Sequence, residues 1–157
     1  MDLAYFHLID RITDLNLGEK TIAVEAQVPQ QNTIFEGHFP GYPLMPGVLL
    51  IESMAQTSGW LLIALMKFER MPFLAAVKEA KMRTFVTPGE LLNIEASIVH
   101  EGSGYAITQA KVSVDGKPRS NATITFGIAP FPNADLRGHM EVMAKRIGFP
   151  QQVMDHG

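Results

Sequence analysis

The chain has 157 residues and a mass of 17.3 kDa, the usual size of one compact domain. Its net charge of −3 excludes nucleic acid as an expected partner, and its lack of cysteine excludes a disulfide framework, a thiol nucleophile and a thiolate metal site. Apolar residues make up 46% and charged residues 18%, which excludes a disordered chain and predicts either one large core or an interface that hides apolar surface.

The first predicted elements are two strands followed by a long loop. Residues 5–16 contain alternating stretches that lead to a hairpin turn at Leu17-Gly18-Glu19, and residues 21–28 alternate as a strand does. Residues 29–47 are rich in proline and glycine and predict a constrained loop, of a length that is often functional in small domains. The start of the chain has no basic region and no uninterrupted apolar segment, so we expect no secretory signal and a cytoplasmic protein.

Residues 48–66 resemble a membrane span in composition. The segment contains no lysine or arginine and nearly reaches the required length of about 20 apolar residues. Glu52 and Gln56 lie inside it, however, and an ionisable group at mid-membrane is costly. We therefore expect no membrane span, but a helix that begins after Pro46-Gly47, ends near Met71-Pro72 and is buried nearly all round.

Strand patterns and turn signals dominate the next part of the chain. Four segments are predicted as strands: 73–86, 91–100, 105–114 and 120–128. One long helix among antiparallel strands, without βαβ alternation, predicts an α+β domain whose curved sheet wraps the helix. A polar tail follows, in which residues 134–147 could form a short amphipathic helix. The nine methionines suit an irregular core or a lipid-lined pocket.

Motifs for cofactors and metals are absent from the sequence. The chain has no GxGxxG or GxxxxGK[ST] segment for a nucleotide and no GxSxG nucleophile elbow. Its five histidines show no metal-ligand spacing. We therefore expect neither a cofactor nor a metal site.

The junction between the proline-rich loop and the apolar helix carries the candidate chemistry. His38 lies in the loop, while Glu52 and Gln56 lie four residues apart on one face of the helix. The free N–H groups at the helix start, near Gly47 and Val48, favour negative charge in front of the helix. A histidine can remove a proton beside a thioester carbonyl, and a carboxylic acid can protonate a leaving hydroxyl. The residues alone suit a structural interpretation equally well, with His38 on the surface and Glu52 held by a structural partner.

Residues 37–56 read GHFPGYPLMPGVLLIESMAQ. This segment closely resembles the signature of the FabZ-like 3-hydroxyacyl-[acyl-carrier-protein] dehydratases of bacterial type II fatty acid synthesis. A looser similarity covers residues 80–83 and 86–90, which resemble the basic strand and the Pro-Gly-Asp type of turn in that family. The resemblance spans residues 5–128, and glutamate at position 52 favours the FabZ-like branch over the isomerising branch, which carries aspartate there.

The resemblance implies a hot-dog fold, in which an antiparallel sheet wraps one long central helix. It implies that His38 is the catalytic base, Glu52 the acid, Gly47 the backbone donor to the thioester carbonyl, and Gln56 the residue that orients the acid. Two subunits would pair so that His38 of one meets Glu52 of the other, and such dimers could stack into hexamers. Four residues are implied to line the substrate tunnel: Phe39, Met45, Pro46 and Val48.

The implied partner is an acyl carrier protein, which is acidic. Lys78, Lys81 and Arg83 are the candidate docking residues, although they suit solvated charges at a strand edge nearly as well. Residues 1–130 are expected to form the dehydratase domain, and residues 131–157 a C-terminal extension. We expect this extension to be a frayed surface tail, with a cap over a lipid tunnel or an extended interface as the alternatives.

The leading hypothesis is dehydration of (3R)-3-hydroxyacyl-[acyl-carrier-protein] to the trans-2-enoyl product. The N-terminal stretch lacks the proline and first arginine that are usual in the family, so a specialised long-chain substrate is a further hypothesis. A hot-dog thioesterase and a non-catalytic acyl-binding subunit are the alternatives. Release of free thiol would indicate the first of these, and tight binding without turnover the second.

Overall fold

Six strands and one long helix account for most of the chain that the structure describes. This computed structural model describes residues 1–3, 6–37 and 41–155. In chain order the elements are β1 (Arg11–Asn16), β2 (Thr21–Gln27), α1 (Thr33–Gly37), α2 (Gly47–Leu65), β3 (Arg70–Met82), β4 (Leu91–Gly102), β5 (Tyr105–Val114), β6 (Lys117–Pro130), α3 (Ala134–Arg146) and α4 (Gln151–Asp155). The strands pair antiparallel in the order β1-β2-β4-β5-β6-β3, so β1 and β3 lie at the two edges.

The sheet buries one face because its strands alternate apolar and polar residues. Alternate residues of β2 and β4 are buried, and the same pattern continues through β5 and β6. Helix α2 packs against this buried face and contacts β2, β3, β4, β5 and β6. The predicted α+β architecture with a sheet around one central helix is confirmed.

Helix α2 is apolar enough to cross a membrane, with a mean hydropathy of 1.5, but 67% of its apolar window is buried inside the protein. Its buried hydroxyl groups are satisfied within the fold. Ser53 Oγ donates to the Leu49 carbonyl at 2.9 Å, Thr57 Oγ1 donates to the Ser53 carbonyl at 2.8 Å, and Thr108 Oγ1 on β5 donates to Ser58 Oγ at 2.8 Å. The predicted buried helix is therefore present, but it is not buried all round: Val48 is exposed, and Glu52 and Gln56 are half-buried.

The end of α2 differs from the prediction. The helix ends at Leu65, and Lys67 and Phe68 adopt positive φ angles of 54° and 60° that turn the chain away from the helix axis. Phe68 is fully buried, and its N–H donates to the Ile63 carbonyl at 3.0 Å. Pro72 does not stop an element but lies within β3, where an edge strand tolerates the missing N–H.

Strand β3 is long and poorly covered. It contains two register shifts and many exposed side chains, including Phe73, Leu74 and Met82, which are 40%, 52% and 45% exposed. Within the described residues its second edge has no strand partner. An exposed apolar edge strand of this kind requires a covering partner or a device against aggregation.

The expectation that the C-terminal extension is a frayed tail is wrong. Helix α3 begins at an N-cap, Asn133, whose side chain accepts from the Leu136 N–H at 2.8 Å. Ala144, Ile147 and Phe149 are all at most 5% exposed, so the extension is part of the core. The sequence prediction of a helix over 134–147 is confirmed within one residue.

An aromatic cluster and one backbone hydrogen bond fix the extension to the domain. The Phe149 ring lies 5.7 Å from that of Trp60 in α2 and 5.4 Å from that of Phe68, and Phe131 stacks on Phe68 at 6.2 Å. The Ile12 N–H in β1 donates to the Ile147 carbonyl at 2.8 Å. Helix α3 is therefore held at both its ends.

Candidate active site

Glu52 lies on the less buried side of α2, beside Gln56. Gln56 Nε2 donates to Glu52 Oε1 at 3.1 Å and to the Phe6 carbonyl at 2.9 Å, and Gln56 Oε1 accepts from the Leu8 N–H at 3.4 Å. Since both donors and the acceptor of the amide are in use, its orientation is determined. The pair predicted from the four-residue spacing forms, and it also binds the N-terminal segment to the helix.

The first turn of α2 contains Gly47, the predicted backbone donor. Pro46 is the N-cap, and no side chain among the described residues caps the helix. A Cβ atom at Gly47 would meet Met82 Cγ and Sδ at 3.6 Å, an ordinary contact, so packing within the described chain does not require a glycine there. The role of Gly47 as backbone donor to the thioester stays a prediction.

His38 and Phe39 lie outside the described residues, so their roles stay predictions. The loop that contains them is anchored on both sides. Phe35 in α1, 6% exposed, precedes it, and Met45, 3% exposed, follows it. The Met45 N–H donates to the Val86 carbonyl at 2.8 Å, which ties the end of this loop to the segment after β3.

An ion pair shapes that second segment. Arg119 on β6 donates from Nη1 and Nη2 to the two carboxylate oxygens of Glu90 at 2.9 and 2.8 Å, and Nη1 also donates to the Phe85 carbonyl at 2.7 Å. These hydrogen bonds from Arg119 lower the pKa of Glu90. Gly89 has a φ of +85°, and a Cβ there would lie 2.2 Å from Gln30 Nε2, so the turn requires glycine. The ion pair therefore supports the loop that leads into α2.

The predicted tunnel residues are distributed around the start of α2. Met45 is buried, Pro46 is half-buried and Val48 is 72% exposed. None of these three lines the cavity that adjoins Glu52. Their predicted contact with substrate stays a prediction.

A cavity of about 270 Å³ is lined in part by Glu52, and its volume is slightly below the usual range of about 300–1,000 Å³ for small-molecule sites. Its walls come from α2, β3, β6 and α3: Glu52, Ala55, Gln56, Gly59, Trp60, Ile63, Met71, Pro72, Leu74, Phe126, Met140 and Met143. Sequence reasoning gave a cap over a lipid tunnel only as an alternative for the extension, and it did not identify which residues of α3 line the cavity. The spacing of Met140, Met143, Ala144 and Ile147 along one helical face is the signal that could have found it.

A larger concavity of about 630 Å³ lies on the opposite side of the sheet. Polar residues from all six strands form much of its lining, and it contains none of the predicted catalytic residues. The smaller cavity is therefore the better candidate site, because it combines a carboxylate with apolar walls. Among the described residues, no three His, Asp or Glu side chains are grouped so that they could hold a metal ion.

Lys78, Lys81 and Arg83 are exposed on β3 and just beyond it. Arg83 Nε donates to Asn121 Oδ1 at 3.1 Å, and a register shift separates Lys78 from Lys81. The three cations thus share the uncovered edge of the sheet, and their role in docking stays a prediction.

The family model for the FabA-like domain matches residues 2–122. The chain therefore belongs to the FabA-like family. The 3-hydroxyacyl-[acyl-carrier-protein] dehydratase FabZ of Clostridium acetobutylicum is 38% identical over 122 residues, which cover 77% of this chain and 86% of that protein. The FabZ of Streptococcus pneumoniae is 39% identical over 124 residues, which cover 77% of this chain and 86% of that protein. Within the family the chain is FabZ-like, as its motif predicts.

Solved structures share the fold at low sequence identity. A hypothetical thioesterase from Streptococcus pneumoniae, solved with coenzyme A, aligns with a TM-score of 0.61 at 16% identity and covers 78% of this chain and 90% of its own. A conserved protein from Pseudomonas aeruginosa aligns with a TM-score of 0.63 at 20% identity. The alignment covers 80% of this chain and 93% of that protein. These similarities confirm the hot-dog fold and carry no information on the reaction.

Proposed function

We propose that this chain dehydrates (3R)-3-hydroxyacyl-[acyl-carrier-protein] to trans-2-enoyl-[acyl-carrier-protein] and water, as a step of fatty acid or lipid biosynthesis. The observation that carries this proposal is the Glu52 carboxylate, hydrogen-bonded to Gln56 beside an apolar cavity. It is supported by membership of the FabA-like family and by FabZ relatives at 38–39% identity.

The reaction breaks a C–H bond beside the thioester and a C–O bond at the next carbon, and forms the double bond between them. His38 takes the proton, the open backbone at Gly47 binds the thioester oxygen as negative charge develops, and Glu52 protonates the hydroxyl that leaves as water. Such acid–base groups each contribute about 10²- to 10⁴-fold in rate. Gln56 holds Glu52 Oε1 and leaves the second oxygen to face the substrate. The residues of this chain supply every group that these steps require, so no cofactor is invoked.

The active site is completed across a homodimer, in which His38 of one subunit meets Glu52 of the other. Two observations support this part of the proposal. The second edge of β3 is uncovered in the described chain, and exposed apolar side chains lie on it and near the start of α2, including Phe73, Leu74, Met82 and Val48. Further stacking of such dimers into a trimer of dimers is compatible with the remaining surface of the sheet.

The carrier protein docks at the three exposed cations on and beyond β3, close to the start of α2. Met82, which separates two of them, lies 3.6 Å from where a Cβ of Gly47 would stand. The basic residues are therefore adjacent to the backbone donors that would hold the thioester. A cytoplasmic location is part of the proposal; α2, the described helix that is apolar enough for a membrane span, is mostly buried within the fold, so it gives no reason to place the protein in a membrane.

Product analysis tests the reaction assignment. Purified protein is incubated with a 3-hydroxyacyl thioester, and enoyl absorbance and free thiol are followed together. We expect enoyl product without free thiol. Thiol release without enoyl product would establish a thioesterase instead, and tight acyl binding without either product would establish a binding subunit.

A further inference from the structure

Helix α3 brings two methionines to the cavity that adjoins Glu52. Met140 and Met143 line this cavity together with Glu52 and Gln56. Both methionines lie beyond residue 122, where the match to the FabA-like domain ends. This wall of the cavity therefore belongs to the extension of this chain and lies outside the family's matched core.

The methionines are held in place by the buried part of the extension. Ala144 and Ile147, on the same face of α3, are 0% and 5% exposed. Arg146 Nη1 donates to His7 Nδ1 at 2.9 Å, and His7 adjoins Leu8, whose N–H donates to Gln56. The position of α3 is thus coupled to the N-terminal segment that holds Gln56, and Gln56 in turn orients Glu52.

Polar and apolar groups are distributed along the cavity as a 3-hydroxyacyl chain requires. Its polar groups, Glu52 and Gln56, lie at one end of the α2 face that lines it, and Ile63 lies at the other end. The eleven-residue step from Glu52 to Ile63 spans about 16 Å along the helix. Methionine side chains are unbranched and adaptable, so they can pack along a flexible alkyl chain.

We propose that Met140 and Met143 contact the acyl chain of the 3-hydroxyacyl substrate and determine which chain lengths the enzyme accepts. This inference rests on the proposed dehydration. The occupant is the alkyl part of the substrate, because the cavity is continuous with the carboxylate that acts on the substrate's hydroxyl. The extension is then a specificity element of the active site.

Tryptophan substitutions test the proposal by filling the cavity. Met140→Trp and Met143→Trp are compared with the wild type on carrier-linked 3-hydroxybutyryl and 3-hydroxydodecanoyl thioesters. We expect the ratio of kcat/KM for the long chain to that for the short chain to fall about tenfold or more in both variants, since a pocket discriminates by about 10-fold or more per displaced group. Val142→Trp is the matched control, because Val142 lies on the same helix and is 65% exposed; its ratio stays that of the wild type.

Alanine variants of the same two residues keep the test decisive if a tryptophan variant does not fold. Met140→Ala and Met143→Ala remove contacts with the distal chain, so the same ratio falls by several-fold while thermal unfolding stays cooperative. An unchanged ratio in folded variants overturns the role of the methionines and leaves the dehydratase assignment intact. If the wild type forms no enoyl product from either substrate, the proposed function fails and this inference fails with it.

Discussion

Gln56 illustrates how much one side chain does in this molecule. Its amide donates to Glu52 and to the Phe6 carbonyl and accepts from the Leu8 N–H. The contact with Glu52 could be predicted, because residues four apart share a helical face. The contacts with Phe6 and Leu8 could not, because they join segments about 50 residues apart in the chain.

Replacing Gln56 should therefore affect both rate and stability. In Gln56→Leu the carboxylate loses its donor, and the Leu8 N–H, in a fully buried residue, loses its partner at a cost of about 1–3 kcal/mol; water can replace the amide at the exposed Phe6 carbonyl. We expect kcat to fall at least tenfold and the Tm to fall by several degrees, measured by enoyl formation and by thermal unfolding. Gln109→Leu, on an exposed position of β5, is the control and should change neither quantity. A Gln56→Leu variant with wild-type kcat would contradict the orienting role.

Glu90 gives a prediction of pH dependence. Its pKa is lowered in the folded state, chiefly by the hydrogen bonds from Arg119. A lowered pKa means that the stabilisation is fully present above the pKa of the unfolded chain, about 4.3, and is lost as the pH falls through the lower folded value. Glu90→Gln should thus destabilise the protein at neutral pH, by about 1 kcal/mol for a partly exposed pair of good geometry.

The difference between the Tm of the wild type and that of Glu90→Gln should shrink as the solution is acidified below about pH 4. Glu95→Gln is the matched control, since Glu95 pairs with Lys111 at 3.2 Å with both side chains more than half exposed. Its effect should be small at every pH. A Tm difference between the wild type and Glu90→Gln that is equally large in acid and at neutral pH would show that the ion pair does not cause the destabilisation.

At the scale of whole elements, local sequence patterns predicted the middle parts of the helices and strands. Tertiary contacts determined where several of these elements end. The strand over 105–114 and the helix over 134–147 follow from alternation and from amphipathic spacing. The end of α2 was mispredicted, because the chain turns at Lys67 and Phe68 through positive φ angles that the residue types do not signal. The docking of the extension that contains α3 was ranked below a frayed tail, since it depends on rings of α2 and of the turn that follows α2.

Strand β3 carries the prediction that concerns the carrier protein. Charge reversal at Lys78, Lys81 and Arg83 should raise KM for a carrier-linked substrate about tenfold, because complementary charge mainly accelerates association. The same variant should turn over a short thioester analogue at the wild-type rate. Lys111→Glu, an exposed cation on β5, is the control. Equal effects on both substrates would mean that β3 is not the docking surface.

At the scale of the whole molecule, two features account for a composition of 46% apolar and 18% charged residues. One is a large core, and the other is apolar surface that stays exposed in the single chain. The core encloses most of α2, as the sequence predicts. The uncovered part is the edge of β3, the segment just beyond it and the start of α2. Phe85 in that segment and Val48 in the first turn of α2 are each 72% exposed. The sequence could predict that apolar surface would be hidden, but only the fold shows which edge of the sheet stays uncovered among the described residues.

The central claim is that His38 and Glu52 of two subunits form one dehydration site. His38→Ala and Glu52→Gln, assayed separately for enoyl formation, should each lose at least a hundredfold in rate. Co-expressed in equal amounts, the two inactive variants should regain about a quarter of the wild-type activity, because one site in four then combines an intact His38 with an intact Glu52 from the other subunit. A mixture as inactive as its parents would contradict the shared site, and wild-type rates in the single variants would contradict the catalytic roles themselves.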